Sequence, residues 1–233
     1  MNKKDFSQED IVRLLKGIMD TLNEEQKAYL LKHTTIQKYK KNEGIYYEGE
    51  SPSMLMCLLS GKVKVFKDGV GGRSQIIRVI KPVDYFGYRA YFEGTKFLTA
   101  AAAFEPSVVC MIPMKVIDKL LTESNQLGRF FIIQLSKALG VSDSRTVSLT
   151  QKHIRGRLAE SLLFLLDCYG LEEDDSTLSI YLSREDLANL SNMTTSNAIR
   201  TLSMFANERI IAIDGRKIKI IDEEKLRKIS IIG

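Results

Sequence analysis

Short polar side chains and one arginine are grouped on one side of a helical segment near the carboxyl end of the chain. The apolar residues of this segment are Ala198, Leu202 and Phe205. Because they are spaced by four and three, they predict the buried stripe of a helix that begins near Thr194. Thr195, Ser196 and Arg200 then remain on the open side. Their hydroxyl and guanidinium groups can donate hydrogen bonds to phosphate oxygens and to the edges of bases.

A shorter helix is predicted just before this one, with a tight turn between the two. Ser183, followed three residues later by Asp186, is typical of a capping box at a helix start. The inner stripe of this first helix is formed by Leu187, Ala188 and Leu190. Asn192 falls in the turn, where a left-handed backbone is needed and Asn is the best substitute for Gly. Residues 182–202 are therefore predicted to be a helix-turn-helix, whose second helix enters the major groove of DNA.

Two apolar runs joined by a turn follow the helix-turn-helix. The runs are residues 210–213 and 218–221, and Asp214-Gly215 between them is a strong hairpin signal. Residues 178–182 could add a third strand. Together these elements predict a winged helix with Arg216 and Lys217 at the tip of the wing. The ordinary alternative for this pair is a solvated turn, but behind a helix-turn-helix we favour contact with DNA phosphates.

Composition excludes several classes of protein. The chain has 233 residues, 44% of them hydrophobic, which is enough for two domains that each bury a core. No apolar run approaches the roughly 18 residues that span a bilayer, and the N-terminal residues lack the apolar stretch of a signal peptide. Cys57, Cys110 and Cys168 lie far apart and predict neither a disulfide framework nor a metal site. We therefore expect a cytoplasmic protein that makes no contact with membranes.

The net charge of +5 does not by itself point to nucleic acid. From Gln151 onward, 12 lysines and arginines are matched by 13 aspartates and glutamates, so the other 22 basic and 16 acidic residues lie in residues 1–150. The part with the helix-turn-helix is therefore close to neutral. Binding to DNA must then depend on where individual cations point.

The first half of the chain changes from helical patterns to short apolar runs separated by glycines. Two short helices are predicted at residues 9–18 and 23–32. The predicted strands are Ile45–Tyr47, Leu55–Leu59, Lys62–Phe66, Gln75–Ile80 and Val108–Ile112. Many short strands at this spacing predict a β-sandwich or jelly roll, with a hairpin tip at residues 69–73.

A long helix is predicted from a cap at Ser124 to about Thr150. One apolar stripe consists of Leu127, Phe131, Ala138 and Val141, and a second of Ile132, Leu135, Leu139 and Leu149. Two stripes predict two buried faces, and one of them could meet an identical helix in a parallel coiled-coil dimer. The alternative is a helix buried within one protomer. A further amphipathic helix at residues 153–168 leads into the winged helix, with residues 150–152 as the natural hinge.

Several short segments occur in an order and spacing that known proteins share. They are residues 44–50 (GIYYEGE), 58–65 (LLSGKVKV), 84–87 (DYFG) and 99–100 (TA), followed by the long helix and the motif that ends in Arg200. Over nearly its whole length the chain thus resembles the Crp/Fnr family of bacterial transcription regulators. The resemblance implies an α+β fold: an effector-sensing double-stranded β-helix (jelly roll) in residues 1–122, a dimerisation helix in residues 123–150, and a winged helix-turn-helix in residues 151–233.

The resemblance also implies a function and carries it to particular residues. The protein is expected to be a homodimeric transcription regulator that binds double-stranded DNA, with RNA polymerase as a further partner, and not an enzyme. The recognition positions fall on Thr195, Ser196 and Arg200, with Arg200 placed to contact guanine and Thr194 placed to contact phosphate. Ser196 stands where the cAMP-responsive members have an acidic residue. The alternatives are that Thr194 is only a helix cap and that Arg200 pairs with a neighbouring carboxylate.

The same resemblance argues against cAMP as the effector. The family's nucleotide pocket needs a Glu for the ribose and an Arg for the cyclic phosphate, and these positions hold Tyr88 and Leu98. Thr99 retains one hydroxyl, but a neutral hydrogen bond is about half as strong as a charge-assisted one. Arg89 is near in sequence, but we expect its side chain to point the wrong way. The predicted effector pocket, apolar and aromatic, consists of Tyr88, Arg89, Tyr91, Leu98 and Thr99, although these aromatic residues could simply pack the jelly roll.

Other cofactors and activities are not expected. An iron–sulfur cluster takes several thiolates, typically near the N-terminus, and no cysteine precedes Cys57. The only histidines, His33 and His153, lie outside the predicted pocket, which argues against haem and against any other metal. Two alternative functions stay open on the same fold: a cupin-like metal enzyme, and an interaction module that binds protein rather than DNA.

Overall fold

The computed structural model describes residues 6–69 and 74–232. The chain forms two compact units, one of Met1–Lys67 and Arg78–Gly140, and the other of Asp68–Ile77 and Val141–Gly233. The division therefore falls within the long helix at Gly140, whereas the sequence-based domains separate that helix from the winged helix after residue 150. Most of the hairpin tip predicted at residues 69–73 lies outside the described residues.

Three short helices begin the first unit. They are α1 (Gln8–Leu14), α2 (Lys16–Met19) and α3 (Glu24–Lys32). Ser7 and Asn23 cap α1 and α3 in capping boxes with Asp10 and Gln26, which explains where both helices begin. The helix predicted at residues 9–18 is helical over that range except at Leu15, where it is interrupted and divides into α1 and α2. The hydroxyl of Tyr85, 70 residues away, donates to the carbonyl of Leu15 at 3.2 Å, a tertiary contact that no local pattern reveals.

Two four-stranded antiparallel sheets follow, and they confirm the predicted jelly roll. The strands are β1 (Thr35–Tyr39), β2 (Gly44–Tyr46), β3 (Met54–Ser60), β4 (Val63–Asp68), β5 (Ser74–Ile80), β6 (Tyr85–Phe86), β7 (Ala100–Ala103) and β8 (Ser107–Pro113). The strand orders are β1-β8-β3-β6 and β2-β7-β4-β5. The sequence missed β1, β6 and β7. The edge strand β1 is largely exposed, β6 has only two residues, and β7 consists of four alanines, which have little strand propensity.

Strand β3 shows why the sheets can hold an unbroken apolar run. Met56 and Leu58 point to one side and join the core shared with β2, β4, β7 and β8. Leu55, Cys57 and Leu59 point to the other side and join a core that includes residues of the N-terminal helices. Because successive residues of a strand point to opposite faces, a strand covered on both sides must be apolar throughout.

Two further helices complete the region between β6 and the long helix. They are α4 (Arg89–Glu93) and α5 (Met114–Glu123). Neither helix was predicted from the sequence. Helix α5 buries Met114, Val116, Ile117 and Leu120, and this spacing of three to four residues was a usable signal.

The long helix α6 (Asn125–Gln151) begins where it was predicted to begin. The hydroxyl of Ser124 accepts a hydrogen bond from the Leu127 amide at 3.2 Å and donates one to the Thr21 carbonyl at 2.8 Å. Of the first predicted stripe, Leu127 and Phe131 are buried, but Val141 is exposed, so that stripe is shorter than predicted. Of the second stripe, Ile132 and Leu139 keep 65% and 63% of their surface exposed in the single chain.

The carboxyl-terminal part contains helices α7 (Ile154–Tyr169), α8 (Arg184–Leu190), α9 (Thr195–Asn207) and α10 (Glu223–Ile232), with strands β9 (Ile211–Asp214) and β10 (Lys217–Ile220). Helix α7 lies where an amphipathic helix was predicted, and it buries Leu158, Leu162 and Leu165. Helix α10 was missed, and it packs against α7.

The predicted third strand at residues 178–182 is wrong. Instead, Thr177 forms an isolated bridge with Lys219, and the Leu178 amide donates to the Ile218 carbonyl at 2.9 Å.

Candidate nucleic-acid interface

The turn between α8 and α9 is built from one cap and one left-handed residue. The hydroxyl of Ser183 accepts from the Asp186 amide at 3.0 Å and donates to the Asp186 carboxylate at 2.8 Å, which fixes the start of α8. Asn192 has a φ of 50°, the left-handed conformation predicted for it. Asn adopts this conformation at less cost than most residues because its short side chain can bond locally. The chain can therefore reverse direction within a few residues.

Helix α9 begins at Thr195, one residue after its cap. The hydroxyl of Thr194 accepts a hydrogen bond from the Asn197 amide at 3.3 Å. Thr194 is therefore a helix cap, as one of the two sequence-based interpretations had it, and it is also exposed. The backbone amides of the first turn stay available, and such a helix start favours anions.

The two sides of α9 differ in the way that the sequence predicts. Its buried residues are Ala198, Thr201, Leu202 and Phe205, which adds only Thr201 to the predicted set. Thr195, Ser196 and Arg200 are all exposed. Their polar groups lie on one open surface of a helix whose other side is fixed in the core.

The guanidinium of Arg200 remains accessible. Its Nη2 atom donates to the side-chain oxygen of Asn197 at 2.7 Å, so the neighbour that holds it is a neutral amide rather than the carboxylate considered as an alternative. A neutral acceptor orients the guanidinium without cancelling its charge. The planar fork can then still offer paired donors to an acceptor such as guanine.

Two arginines that the sequence analysis did not single out hold this motif in place. Arg157 donates to the carbonyls of Ser191 and Asn192, each at 3.2 Å, and thereby holds the turn. Arg155 forms two hydrogen bonds with Glu208, at the carboxyl end of α9. Both contacts join residues more than thirty positions apart, so only the folded chain reveals them.

The wing is a hairpin of β9 and β10 whose turn lies one residue later than predicted. Asp214 and Lys217 face each other in the register, so Gly215 and Arg216, rather than Asp214-Gly215, occupy the turn. Gly215 has a φ of 56°, which a two-residue hairpin turn requires and Gly supplies without strain. The side chain of Arg184, in the first turn of α8, donates to the Gly215 carbonyl at 2.7 Å and ties the wing to the helix-turn-helix.

Arg216 and Lys217 are both exposed at the wing tip, as predicted. The Lys217 ammonium lies 5.5 Å from the ring centroid of Tyr181, and such a contact is weak at an exposed site. Among the residues that the structure describes, neither cation forms an ion pair of the kind seen between Lys219 and Asp174 at 2.9 Å. The wing therefore presents two cations beside the motif.

Two family models match the chain. The cyclic nucleotide-binding domain matches residues 36–124, and the Crp-like helix-turn-helix domain matches residues 156–229. Together these ranges cover more than half of the chain in the order that the Crp/Fnr proteins share. The chain belongs to the Crp/Fnr family of DNA-binding transcription regulators.

Curated members of this family extend over most of the chain. A "CRP-like cAMP-activated global transcriptional regulator" of Mycobacterium tuberculosis is 23% identical over 214 residues, which are 91% of this chain and 95% of that protein. An "Anaerobic regulatory protein" of Bacillus subtilis is 25% identical over 183 residues, which are 78% of this chain and 77% of that protein.

Solved Crp/Fnr structures share the fold. FixK2 from Bradyrhizobium japonicum is 24% identical, with a TM-score of 0.76, and the match covers 84% of this chain and 96% of that one. A CRP/FNR-family transcriptional regulator from Thermus thermophilus is 21% identical, with a TM-score of 0.71, over 84% of this chain and 98% of that one.

In this Crp/Fnr chain the predicted effector-pocket residues do not share one environment. Tyr88 is 2% exposed, and its ring lies 5.4 Å from that of Phe131 on α6, so it packs a core instead of lining an open pocket. Burial raises the pKa of its hydroxyl. The hydroxyl of Tyr91 donates to the carboxylate of Asp118 on α5. Leu98, in contrast, is exposed.

Thr99 lies beside Tyr46, and Arg89 acts on both Tyr46 and Tyr88, since its charge and that of Arg78 oppose the rise in the pKa of each hydroxyl. The ring of Tyr46 stacks on Phe97 with centroids 4.0 Å apart, and its hydroxyl lies 3.4 Å from that of Thr99. Burial raises the pKa of Tyr46, and the nearby charges of Arg78 and Arg89 oppose that shift. The side chain of Arg89 is itself exposed, and its part in an effector pocket stays a prediction.

Two of the three cysteines, far apart in sequence, lie opposite each other in the fold. Cys57 and Cys110 face each other across β3 and β8 and are fully buried, and burial raises the pKa of Cys110 to about 12.

Within residues 6–69 and 74–232, no three histidine, cysteine, aspartate or glutamate side chains are grouped so that they could hold a metal ion. None of the described helices is both long and apolar enough to cross a membrane.

Proposed function

We propose that the protein is a sequence-specific regulator that binds DNA as a homodimer, with α9 of each subunit in the major groove. One observation carries the proposal: Thr195, Ser196 and Arg200 are all exposed on α9, outside its buried stripe. In a two-fold symmetric dimer the two α9 helices would contact half-sites about 34 Å apart, one turn of DNA. RNA polymerase is a further partner of the bound dimer, and the cytoplasm is the compartment in which it meets DNA.

Each exposed group has a distinct role in this proposal. Arg200 contacts a guanine through two donors, while Thr195 and Ser196 contact neighbouring base edges. Thr194, at the start of α9, and Arg216 and Lys217, at the wing tip, contact phosphates. Phosphate contacts position the protein and supply affinity, whereas contacts with base edges supply selectivity.

The dimer forms through α6. Ile132 and Leu139 are exposed and seven residues apart, and the partly buried Leu135 lies between them, which is the spacing of a coiled-coil seam. Later positions of the same seam are Ser142 and Thr146, so the apolar contact is concentrated in the first half of the helix. Leu139→Glu should convert the dimer to a monomer in analytical ultracentrifugation, and Lys137→Glu, also exposed on α6, should leave it dimeric.

The effector is a small molecule other than cAMP. Tyr88 and Leu98 stand where cAMP binding needs a carboxylate and a guanidinium, and Tyr88 is packed against Phe131. The "cAMP-activated" relative from Mycobacterium tuberculosis is the natural comparison. Isothermal titration of the full chain with cAMP should show no heat of binding, and a saturable one-to-one isotherm would contradict this part of the proposal.

A selection experiment tests the DNA-binding proposal directly. The full chain is incubated with a random DNA library, and bound sequences should converge on paired half-sites that each contain a guanine. Arg200→Ala should lose about 5- to 150-fold in affinity for the selected site, equivalent to ~1–3 kcal/mol, and should accept other bases at that guanine. Arg227→Ala, which removes the same charge from the exposed face of α10, is the matched control. It should keep both the affinity for the selected site and the preference for guanine.

Salt dependence separates DNA binding from the alternative of a protein-binding module. The affinity should fall steeply with salt because each neutralised phosphate releases counterions. Lys217→Ala should reduce the slope of log affinity against log salt by about 1 while keeping the selected sequence. A protein that binds DNA weakly, without selection and with a flat salt dependence, would contradict the proposal. We assign no catalytic role to the chain, since the curated relatives named above are regulators.

A further inference from the structure

An isoleucine interrupts the polar face of α9. Ile199 keeps 47% of its surface exposed, whereas Leu202 and Phe205 of the same helix are buried. A single exposed apolar side chain is ordinary on a protein surface. The position of Ile199, among the residues proposed to contact bases, gives it a different significance.

Ile199 and Arg200 are neighbours of Ser196 on the helix surface. Residues three and four positions apart lie next to each other on one face of a helix. Ser196 in the first turn of α9 is therefore followed, one turn later, by Ile199 on one flank and Arg200 on the other. A DNA groove that receives Ser196 and Arg200 must also receive Ile199.

The polar groups closest to Ile199 along the helix already have partners. The Ser203 hydroxyl donates to the Ile199 carbonyl at 3.0 Å, and Arg200 bonds to Asn197 at 2.7 Å. Ser196 carries no carboxylate that could accept from the amino group of a cytosine. Ile199 is therefore the apolar, branched side chain that α9 offers beside Arg200.

The major groove offers one apolar group among the four bases, which is the C5-methyl group of thymine. We infer that Ile199 reads the methyl group of a thymine in each half-site, close to the guanine that Arg200 contacts. The inference rests on the proposed function, because it assumes that α9 lies in the major groove. It adds a specificity residue and predicts a thymine in the operator half-site.

The test removes that methyl group alone. After the full chain has selected its half-site, each thymine is replaced in turn by deoxyuridine, which lacks only the C5-methyl group. At one thymine within a few base pairs of the guanine, affinity should fall about fourfold (~0.8 kcal/mol, one buried methyl group). With Ile199→Ala the same replacement should have no effect, since the partner of the methyl group is gone.

Met204→Ala is the matched control, because Met204 is also an exposed apolar residue of α9 but lies in a later turn. This variant should keep the full penalty for deoxyuridine. Ile199→Ala removes an exposed side chain, so it should unfold at the same temperature as the wild type, and circular dichroism checks that it does.

The possible outcomes distinguish the inference about Ile199 from the proposed function. A selected site that depends on Arg200 but tolerates deoxyuridine at every position overturns the inference and leaves the proposed function in place. An equal penalty in the wild type and in Ile199→Ala also overturns it, because another residue must then contact the methyl group. A chain that selects no site overturns both.

Discussion

The guanidinium of Arg155, in the first turn of α7, forms a two-point ion pair with Glu208, the residue that ends the recognition helix α9. The two hydrogen bonds measure 2.7 and 2.5 Å. Hydrogen bonding to Arg155 lowers the pKa of Glu208, and hydrogen bonding to Glu208 raises that of Arg155, so both shifts favour the charged pair. The guanidinium also lies 5.0 Å from the ring centroid of Phe205. Helix α9 is thus fixed at its carboxyl end, while its amino end stays open.

We expect Arg155→Ala to reduce the free energy of unfolding by about 1 kcal/mol, the upper end for a partly exposed ion pair. Arg155→Lys should recover only part of the loss, because an ammonium cannot form the two-point contact. Urea denaturation measures both. Lys228→Ala breaks the exposed Lys228–Glu224 pair of α10 and should cost less than half as much. If Arg155→Ala and Lys228→Ala lower the free energy of unfolding equally, the two-point pair stabilises the fold no more than an ordinary exposed ion pair does.

The left-handed turn residue gives a second prediction. Asn192→Ala should destabilise the chain by about 1 kcal/mol, because a Cβ without a local polar group is strained at a φ of 50°. Asn192→Gly should stay within about 0.5 kcal/mol of the wild type. The bond from Arg157 goes to the Asn192 carbonyl and survives both changes, so the comparison isolates the backbone conformation. An equal loss in both variants would instead assign a role to the Asn192 side chain.

Local signals predicted much of the helix-turn-helix. Ser183, Asn192 and Thr194 act through backbone groups within a few residues of themselves, and such short-range rules can be applied to a sequence directly. The buried stripe of α9 follows from helical periodicity in the same way. The pair Arg155–Glu208 spans 53 residues, and no local pattern links its members.

The surroundings of the predicted effector-pocket residues could not be read from local sequence. Tyr88 packs on Phe131 of α6, and Thr99 lies beside Tyr46 of β2. Which side of a strand or turn is covered depends on elements distant in sequence. Helix α10 carries a weak signal, because only Leu226 and Ser230 of its ten residues are buried.

The loop before the wing gives a pH-dependent prediction. The Asp174 carboxylate accepts from the hydroxyl and amide of Thr177, from the Ser176 amide and from Lys219, and these bonds hold its pKa well below the ordinary 3.8. Because the folded pKa is lower than the unfolded one, the carboxylate stabilises the fold above about pH 4 and loses this effect as the pH falls further. Asp174→Asn should therefore melt at a lower temperature than the wild type near neutral pH.

The difference in melting temperature between the wild type and Asp174→Asn should shrink below about pH 4. Asp175→Asn is the matched control. It removes the neighbouring charge at a φ of 50°, a conformation that Asn tolerates, and its melting temperature should follow the wild type at every pH. A difference for Asp174→Asn that stays constant down to about pH 2 would contradict the assignment.

Gly140 lies inside α6, at the last position of the first compact unit, and the space around its Cα is open. Glycine costs a helix interior roughly 0.8–1 kcal/mol relative to alanine, so Gly140→Ala should stabilise α6 by about that amount without a clash. Gly128→Ala, in the same helix with only Leu121 at 4.0 Å, should give a similar gain. The two variants differ in whether the stiffened residue lies at the boundary between the units.

If α6 bends at this boundary when the protein switches, Gly140→Ala should change the affinity for the selected DNA site, and Gly128→Ala should not. Hydrogen exchange of the α6 amides provides an independent measure, since protection around residue 140 should rise in Gly140→Ala alone. Unchanged DNA affinity in both variants would move the hinge away from Gly140 and back to residues 150–152, where the sequence alone placed it.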